Sequence, residues 1–184
     1  DDLRNLEQRL AQSRLVTLSG IGGAGKTRLA ATLALRVLPS FPDGVCFVDL
    51  APVETGDRVA RAVAAALDLR EERDKPVEQT LVRHCAGRRM LLVLDNCEQV
   101  VAAVAALVER LLTATPATCV LATSRERLGI PGEAAVAIRA LTTPPADAAV
   151  DAAALDQYES VRLFVDRAQQ VAPEFALDPA NAGV

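Results

Sequence analysis

The chain of 184 residues alternates short apolar runs with segments in which apolar residues recur three or four positions apart. Uninterrupted apolar runs are typical of strands buried on both faces of a parallel sheet, and the helical spacing indicates amphipathic helices. The predicted strands are residues 15–19, 44–50, 90–95 and 118–124, with a fifth inside 133–140. The predicted helices are one with Leu3, Leu6 and Leu10, one over 26–38, one with Val59, Val63 and Leu67, one opened by Pro76, and one with an apolar stripe from Val100 to Leu112.

This alternation of strands and helices predicts βαβ units with right-handed crossovers, and therefore an α/β fold around a parallel sheet. We assign it to residues 1–141. Residues 142–154 read TTPPADAAVDAAA, are poor in large apolar side chains and are predicted to form a linker or surface loop. Residues 155–184 are predicted to begin with a helix that places Val161, Phe164, Val165, Ala168 and Val171 on one side.

The segment GIGGAGKT, from Gly20 to Thr27, follows the first predicted strand directly. Its pattern GxxxxGK[ST] is typical of a phosphate-binding loop, because glycines let successive backbone N–H groups turn inward around an anion. The helix that follows directs its N-terminus, with unpaired N–H groups and a positive dipole end, at the same point. The alternative is a glycine-rich turn with no ligand.

Lys26 favours the phosphate-binding interpretation, because only two of the 20 basic residues, Lys26 and Lys75, are lysines. A compact ammonium suits the β- and γ-phosphates of a nucleotide, and the Thr27 hydroxyl suits Mg2+. The predicted nucleotide-binding residues are Gly20, Gly22, Gly23, Ala24, Gly25, Lys26, Thr27 and Arg28.

Asp95 ends the buried run MLLVLD and is predicted to lie at the same sheet edge as the glycine loop. A carboxylate there would complete a Mg2+ site with Thr27. Many vigorous ATPases carry a second acid at the next position, where this chain has Asn96. Glu98 is a candidate for contact with the attacking water, and its alternative is an acidic residue in the first turn of the next helix.

Arg125 follows the predicted strand TCVLATS and is predicted to reach the γ-phosphate of a bound nucleotide. In that position it would report whether the γ-phosphate is present. The alternative is a surface arginine in the charged run Arg125-Glu126-Arg127.

Composition narrows the classes of protein that fit. The chain is 51% hydrophobic and 24% charged, which is typical of a globular domain, and its apolar runs are too short to span a bilayer. With a formal net charge of −4, the chain lacks the basic character expected of a nucleic-acid binder. The four cysteines show no CxxC spacing, so reduced thiols in the cytoplasm are the simplest interpretation.

Five stretches, LVTLSGIGGAGKTRLA, FPDGVCFVDLAPV, RRMLLVLDNCEQV, VLATSRERLGIPGE and ESVRLFVDRA, resemble the nucleotide-binding module of STAND-class P-loop NTPases. More closely, they resemble the NB-ARC-like module of actinobacterial transcriptional regulators with LuxR-type or winged-helix DNA-binding domains. The resemblance covers most of the chain. It implies a three-layer αβα sandwich whose five parallel strands have the order 5-1-4-3-2, followed by the start of a helical, ARC1-like domain.

The resemblance also implies a function, namely a switch domain that binds ATP or ADP with Mg2+ and hydrolyses ATP slowly. Asp95 would then be the Walker B residue and Arg125 the sensor arginine. The expected partners are other domains of the same full-length chain, with oligomerisation on activation, and this segment itself is expected to bind no nucleic acid or membrane. The family's adenine-contacting segment and GLPLA-type segment are not among these residues, so we expect an excised fragment. The alternatives are a P-loop kinase or GTPase, and a scaffold that no longer binds nucleotide.

Overall fold

The computed structural model describes residues 2–70, 75–145, 152–178 and 181. It divides the chain into two compact units, residues 1–139 and residues 140–184. Part of the predicted linker, residues 146–151, lies outside the described residues. The first unit contains the whole sheet and every predicted site residue.

The first unit is built on five strands that all run in the same direction. Their order across the sheet is β2-β3-β4-β1-β5, which confirms the predicted order 5-1-4-3-2. In the register, β1 lies between β4 and β5, with Leu15 opposite Val120 on one side and Glu133 on the other. The strands are β1 (Leu15–Ser19), β2 (Val45–Asp49), β3 (Leu91–Asp95), β4 (Cys119–Ser124) and β5 (Glu133–Ala137).

Five helices of the first unit cover the two faces of this sheet. They are α1 (Asp2–Gln12), α2 (Lys26–Val37), α3 (Val59–Ala66), α4 (Val77–Cys85) and α5 (Val101–Ala114). Short 3-10 turns at Leu38–Ser40, Gly56–Arg58 and Cys97–Gln99 join some of them to the strands. Among the described residues, no helix has both the length and the apolar character needed to cross a membrane.

The central strand β3 shows why the apolar runs lack alternation. Leu91 and Val93 pack in a core with α1 and α2, whereas Leu92 and Leu94 pack in a second core with α3, α4 and α5. All four side chains are fully buried. Since successive side chains of a strand point to opposite faces, a strand covered on both sides is apolar at every position. The three-layer αβα sandwich is therefore confirmed.

The parallel arrangement brings the carboxyl ends of the strands to one edge of the sheet. Ser19 pairs with Ser124, and Asp49 pairs with Asp95, at the last positions of their strands. Ligands of open α/β sheets bind beyond this edge. We call it the carboxyl edge, and the opposite side, where the strands begin, the amino edge.

The second unit contains α6 (Ala152–Leu155) and α7 (Glu159–Val171). Helix α6 begins inside the segment predicted as a linker, because its alanines favour helix once the Pro-rich part has ended. The N-terminus of α7 is capped reciprocally: the Glu159 N–H donates to Thr142 Oγ1 (3.0 Å), and the Thr142 N–H donates to a Glu159 carboxylate oxygen (3.1 Å). The domain boundaries proposed from the sequence stay a prediction.

Candidate functional site

The loop from Gly20 to Thr27 joins β1 to α2, and its backbone follows a path that glycine makes possible. Gly23 and Gly25 have φ angles of 77° and 80°, in the left-handed region that other residues rarely adopt. Gly25 is the residue directly before α2, so the turn delivers the chain into the helix at Lys26. The first N–H groups of α2 have no intrahelical acceptor and lie beside the loop.

Gly20 is required at the base of the loop for a different reason. The chain after β5 passes so close that a Cβ atom at Gly20 would lie 2.5 Å from the Ile138 carbonyl oxygen. The Ile138 N–H donates to the Ser19 carbonyl oxygen (2.6 Å), which ties this passage to the end of β1. Any side chain at Gly20 would therefore collide with backbone that cannot easily move.

Lys26, the first residue of α2, folds back over the loop. Its side chain is 8% exposed, and its Nζ atom donates to the carbonyl oxygens of Gly20 (2.8 Å) and Ile21 (2.9 Å). An ammonium has three donors, so these two bonds leave one for a ligand. The positive charge is thus held beside the glycine backbone before any anion arrives.

Ala24 and Arg28 are also predicted to bind nucleotide, but the structure gives less support for them. The Ala24 N–H donates weakly to the Ile21 carbonyl oxygen at 3.4 Å, which closes the turn. Arg28 lies in the first turn of α2 with an exposed side chain. The prediction that these two residues bind nucleotide rests only on their positions in the sequence.

Thr27 and Asp95, 68 positions apart in the chain, meet at the carboxyl edge. The Thr27 hydroxyl donates to Asp95 Oδ1 at 3.0 Å, and the Asp95 side chain is only 1% exposed. Hydroxyl and carboxylate oxygens are the ligands that Mg2+ prefers. The donor set of these two residues therefore fits a magnesium ion bound together with a phosphate.

Two residues that the sequence analysis did not assign to the site hold Asp95 in place. The Thr123 hydroxyl donates to Asp95 Oδ1 (2.5 Å) and accepts the Asn96 backbone N–H (3.0 Å). The Asn96 side-chain amide donates to Asp95 Oδ2 (3.1 Å) and to Asp49 Oδ1 (2.9 Å). Asn96 has a φ of 60°, a left-handed conformation that asparagine tolerates better than most residues. The strand order could have indicated these supporting residues, since β2, β3 and β4 are neighbours and all three end in polar residues.

Arg125 and Glu98 form an ion pair beside the loop. Arg125 Nε lies 3.6 Å from Glu98 Oε1, and the arginine side chain is 69% exposed while that of Glu98 is 24% exposed. An Arg125 terminal nitrogen lies 4.0 Å from the point where Gly22 would carry a Cβ atom. The second Glu98 oxygen, Oε2, is buried and has no hydrogen-bond partner among the described residues. The guanidinium therefore lies over the glycine loop, with Glu98 next to it.

Cys97 is a buried neighbour of Asp95 and Glu98, and its thiol is unreactive near neutral pH. Burial, together with the negative charges of Asp95 and Glu98, raises the pKa of its thiol to about 12. The thiol donates to the Leu94 carbonyl oxygen (3.3 Å). Since the thiolate is the nucleophile, a thiol with so high a pKa does not act as one near neutral pH.

Comparison with known proteins places this site in a family. A family model described as an AAA domain matches residues 9–128, which is more than half of the chain and includes the glycine loop, Asp95 and Arg125. The chain therefore belongs to the AAA domain family. Its fold and loop are those of a P-loop NTPase.

Particular relatives have names that refer to regulators. A Mycobacterium tuberculosis protein named "Putative HTH-type transcriptional regulator Rv0890c" is 44% identical over 173 residues, which are 94% of this chain and 18% of that protein. "Regulatory protein AfsR" of Streptomyces griseus is 36% identical over 121 residues, which are 60% of this chain and 12% of that protein. The chain thus spans less than a fifth of the length of either relative.

A solved structure gives a similar result for the fold. It is a protein of Pyrococcus horikoshii described as a Signal Transduction ATPase with Numerous Domains (STAND) protein with a tetratricopeptide repeat sensor. The TM-score is 0.55 at 18% identity, and the match covers 99% of this chain and 26% of that chain. At this identity the likeness concerns the fold alone. Together with the family and the named relatives, it confirms the resemblance to a P-loop NTPase module of regulators.

Proposed function

We propose that this chain is an ATP/ADP-binding switch domain, the NB-ARC-like module of a STAND-class signal-transduction regulator, with slow ATP hydrolysis. One observation carries the proposal. The glycine loop, the Lys26 ammonium and the Thr27–Asp95 pair converge at one edge of the sheet, where a polyphosphate with its magnesium ion fits.

Each part of the edge has a task in binding. The N–H groups of the loop and of the first turn of α2 would surround the phosphate oxygens, and Lys26 would neutralise the charge of the β- and γ-phosphates. Thr27 and Asp95 would hold Mg2+, which supplies charge neutralisation at the phosphates when bound. Because Asp95 is almost fully buried and already accepts hydrogen bonds on both oxygens, its carboxylate is oriented in advance.

The surroundings of Asp95 favour slow hydrolysis. At the position where vigorous ATPases carry a second acid, Asn96 offers an amide whose N–H groups donate to Asp95 and Asp49. An amide does not accept a proton from water as a carboxylate does. Glu98, the other candidate for contact with water, lies beside Arg125. A site of this kind holds ATP for longer than it would if it carried a strong base.

Arg125 is the residue proposed to distinguish ATP from ADP. A ligand shifts a conformational equilibrium only by the difference in its affinity for the two states. The γ-phosphate is the chemical difference between the two nucleotides, and Arg125 lies over the loop where that phosphate would extend. Exchange of ADP for ATP would thus be read by this guanidinium.

In the full-length protein, the switch would act on other domains of the same chain. The names of the relatives favour transcription regulation, with DNA bound by a domain outside these residues. The negative net charge of this segment agrees with that division. We further propose that the protein acts in the cytoplasm and oligomerises on activation.

Two measurements on the 184-residue chain test the proposal. Heat-denatured protein should release ADP or ATP, identified by chromatography; release of GDP would favour a GTPase instead. In a thermal-shift assay, MgATP at a hundred times its Kd should stabilise the fold by about 2.7 kcal/mol. Lys26→Ala should remove that stabilisation, and a Lys26→Ala protein that keeps it would contradict the site assignment.

A further inference from the structure

Thr123 is a buried polar residue at the carboxyl edge whose hydroxyl bonds to Asp95 from the neighbouring strand. It is the second-last residue of β4, its side chain is 1% exposed, and both of its hydrogen bonds go to the end of β3. One bond holds the carboxylate of Asp95 and the other holds the peptide that follows it. Thr123 therefore connects β4 to the proposed magnesium ligand.

The direction of these bonds matters. A hydroxyl has one proton to donate and lone pairs with which to accept. Since the backbone N–H of Asn96 donates to Thr123 Oγ1 at 3.0 Å, the hydroxyl proton is left for Asp95 Oδ1. Rotation of a carboxylate about its last torsion is soft, so a donor of fixed direction orients it. Thr27 donates to the same oxygen, and the two hydroxyls together define where Oδ1 lies.

A second threonine on the neighbouring strand shows that burial alone does not explain this arrangement. Thr17, in the middle of β1, is also fully buried, and within the described part of the chain its hydroxyl has no hydrogen-bond partner. The two residues have the same side chain in the same sheet. Of the two, only Thr123 uses its hydroxyl, and it donates to a carboxylate. The hydroxyls of the buried Thr115 and Thr118 donate instead to backbone carbonyl oxygens, those of Leu111 and Cys85.

We propose that Thr123 is a positioning residue for magnesium, which acts through Asp95 to set the magnesium dependence of nucleotide binding. The inference rests on the proposed function and deepens it. Removal of a residue that hydrogen-bonds to a metal ligand typically lowers metal affinity by about 10- to 100-fold. Loss of the Thr123 hydroxyl should therefore weaken MgATP binding while leaving the binding of metal-free ATP unchanged.

The test compares ATP affinity of the 184-residue chain in Mg2+ and in EDTA, measured by titration calorimetry. The quantity of interest is the Kd for ATP in EDTA divided by the Kd for ATP in Mg2+. A larger ratio means a stronger dependence of binding on magnesium. We expect this ratio to fall by about ten-fold or more in Thr123→Val, which keeps the shape but removes the hydroxyl. Thr123→Ser, which keeps the hydroxyl, should retain the wild-type ratio. Thr17→Val, the same chemical change at the other buried threonine, should retain it too.

The outcomes separate this inference from the proposed function. A folded Thr123→Val protein that keeps the wild-type ratio, or a Thr17→Val protein that loses it equally, would overturn the inference while leaving the switch intact. Wild-type protein that binds ATP equally well in Mg2+ and in EDTA would also overturn the inference alone, whereas wild-type protein that binds no ATP in either condition would overturn both. Circular dichroism checks folding, and Thr123→Ala, which cannot overpack the core, provides the same comparison if the valine variant does not fold.

Discussion

The two edges of the sheet use their polar side chains differently. At the amino edge, the partners are backbone groups: Arg14 Nη1 donates to the carbonyl oxygens of Leu112 (2.9 Å) and Thr115 (2.8 Å), at the end of α5, and Asp43 accepts the Arg89 N–H (2.7 Å). Ser13 Oγ likewise lies 2.9 Å from the carbonyl oxygens of Leu15 and Gly132, and it donates its single proton to one of them. These bonds satisfy backbone groups that the ends of helices and strands leave open. The polar residues of the amino edge complete the fold.

At the carboxyl edge, by contrast, several side chains bond to other side chains, in addition to the bonds that Lys26 and Asp49 make to the backbone. Thr27, Thr123 and Asn96 all donate to Asp95, and Asn96 also donates to Asp49. Side chain to side chain bonds are a small minority in folded proteins, so a group of them around one buried carboxylate is unusual. The difference teaches that polarity alone does not mark a site. What marks it here is a set of polar side chains organised around one buried carboxylate.

The largest effect is expected from Asp95→Asn, which replaces the carboxylate at the centre of the carboxyl edge. Whichever way the new amide turns, its N–H groups would face an existing donor, either the two threonine hydroxyls or the Asn96 amide, and it would be a poor magnesium ligand. We expect MgATP affinity to fall by at least about 100-fold, the upper range for residues that only support a ligand. Titration calorimetry measures it.

The control for this variant is Asp49→Asn on the adjacent strand. Asp49 is exposed and accepts hydrogen bonds from Asn96 and from the Ala51 N–H. Exposed substitutions usually change free energies by about 0.5 kcal/mol, so its MgATP affinity should stay within about three-fold of wild type. Equal losses in both variants would mean that Asp95 is not special at this edge.

An intermediate effect is expected at the amino edge from Arg14→Ala. The substitution leaves the Leu112 and Thr115 carbonyls without their charged donor, which should lower the free energy of unfolding by about 1 to 2 kcal/mol. Urea denaturation measures that change. MgATP affinity, measured below the unfolding transition, should equal that of wild type. A loss of affinity without a loss of stability would break the distinction between the two edges.

The smallest effect is expected from Glu98→Gln, which removes the charge opposite Arg125. Exposed ion pairs contribute about 0.2 to 1 kcal/mol, so the preference for ATP over ADP should change by up to about five-fold. ADP affinity should be unaffected, because ADP lacks the phosphate that Arg125 is proposed to contact. Competition between the two nucleotides measures the preference. An equal change for ADP would indicate that Glu98 supports the loop as a whole.

Much of the fold could be predicted from the sequence because it follows from periodicity. Runs such as LLVLD are apolar at every position only when both faces are covered, which indicated central parallel strands. The glycine loop was recognisable because its backbone needs residues without a side chain. The meeting of Thr27 with Asp95 followed from the shared edge, and the structure brings the two together at 3.0 Å.

The remaining contacts depend on details that a pattern does not contain. Whether Thr123 or Ser124 faces Asp95 is decided by the register of β4 against β3 and by the left-handed turn at Asn96. A shift of one residue would exchange the two side chains between faces. Helix α7 shows a similar limit. Its periodicity predicts the helix, but Phe164 packs edge-to-face with Phe175. Helical spacing does not predict this contact, because Phe175 lies after the end of the helix.

The close passage of Ile138 at Gly20 gives the base of the phosphate loop a mechanical connection. Ile138 is bonded to Ser19, directly before the loop, and the first unit ends one residue later, at Arg139. The segment that leaves β5 is therefore fastened to the base of the glycine loop, so a side chain at Gly20 that displaced Ile138 would disturb the loop and the exit of the chain together.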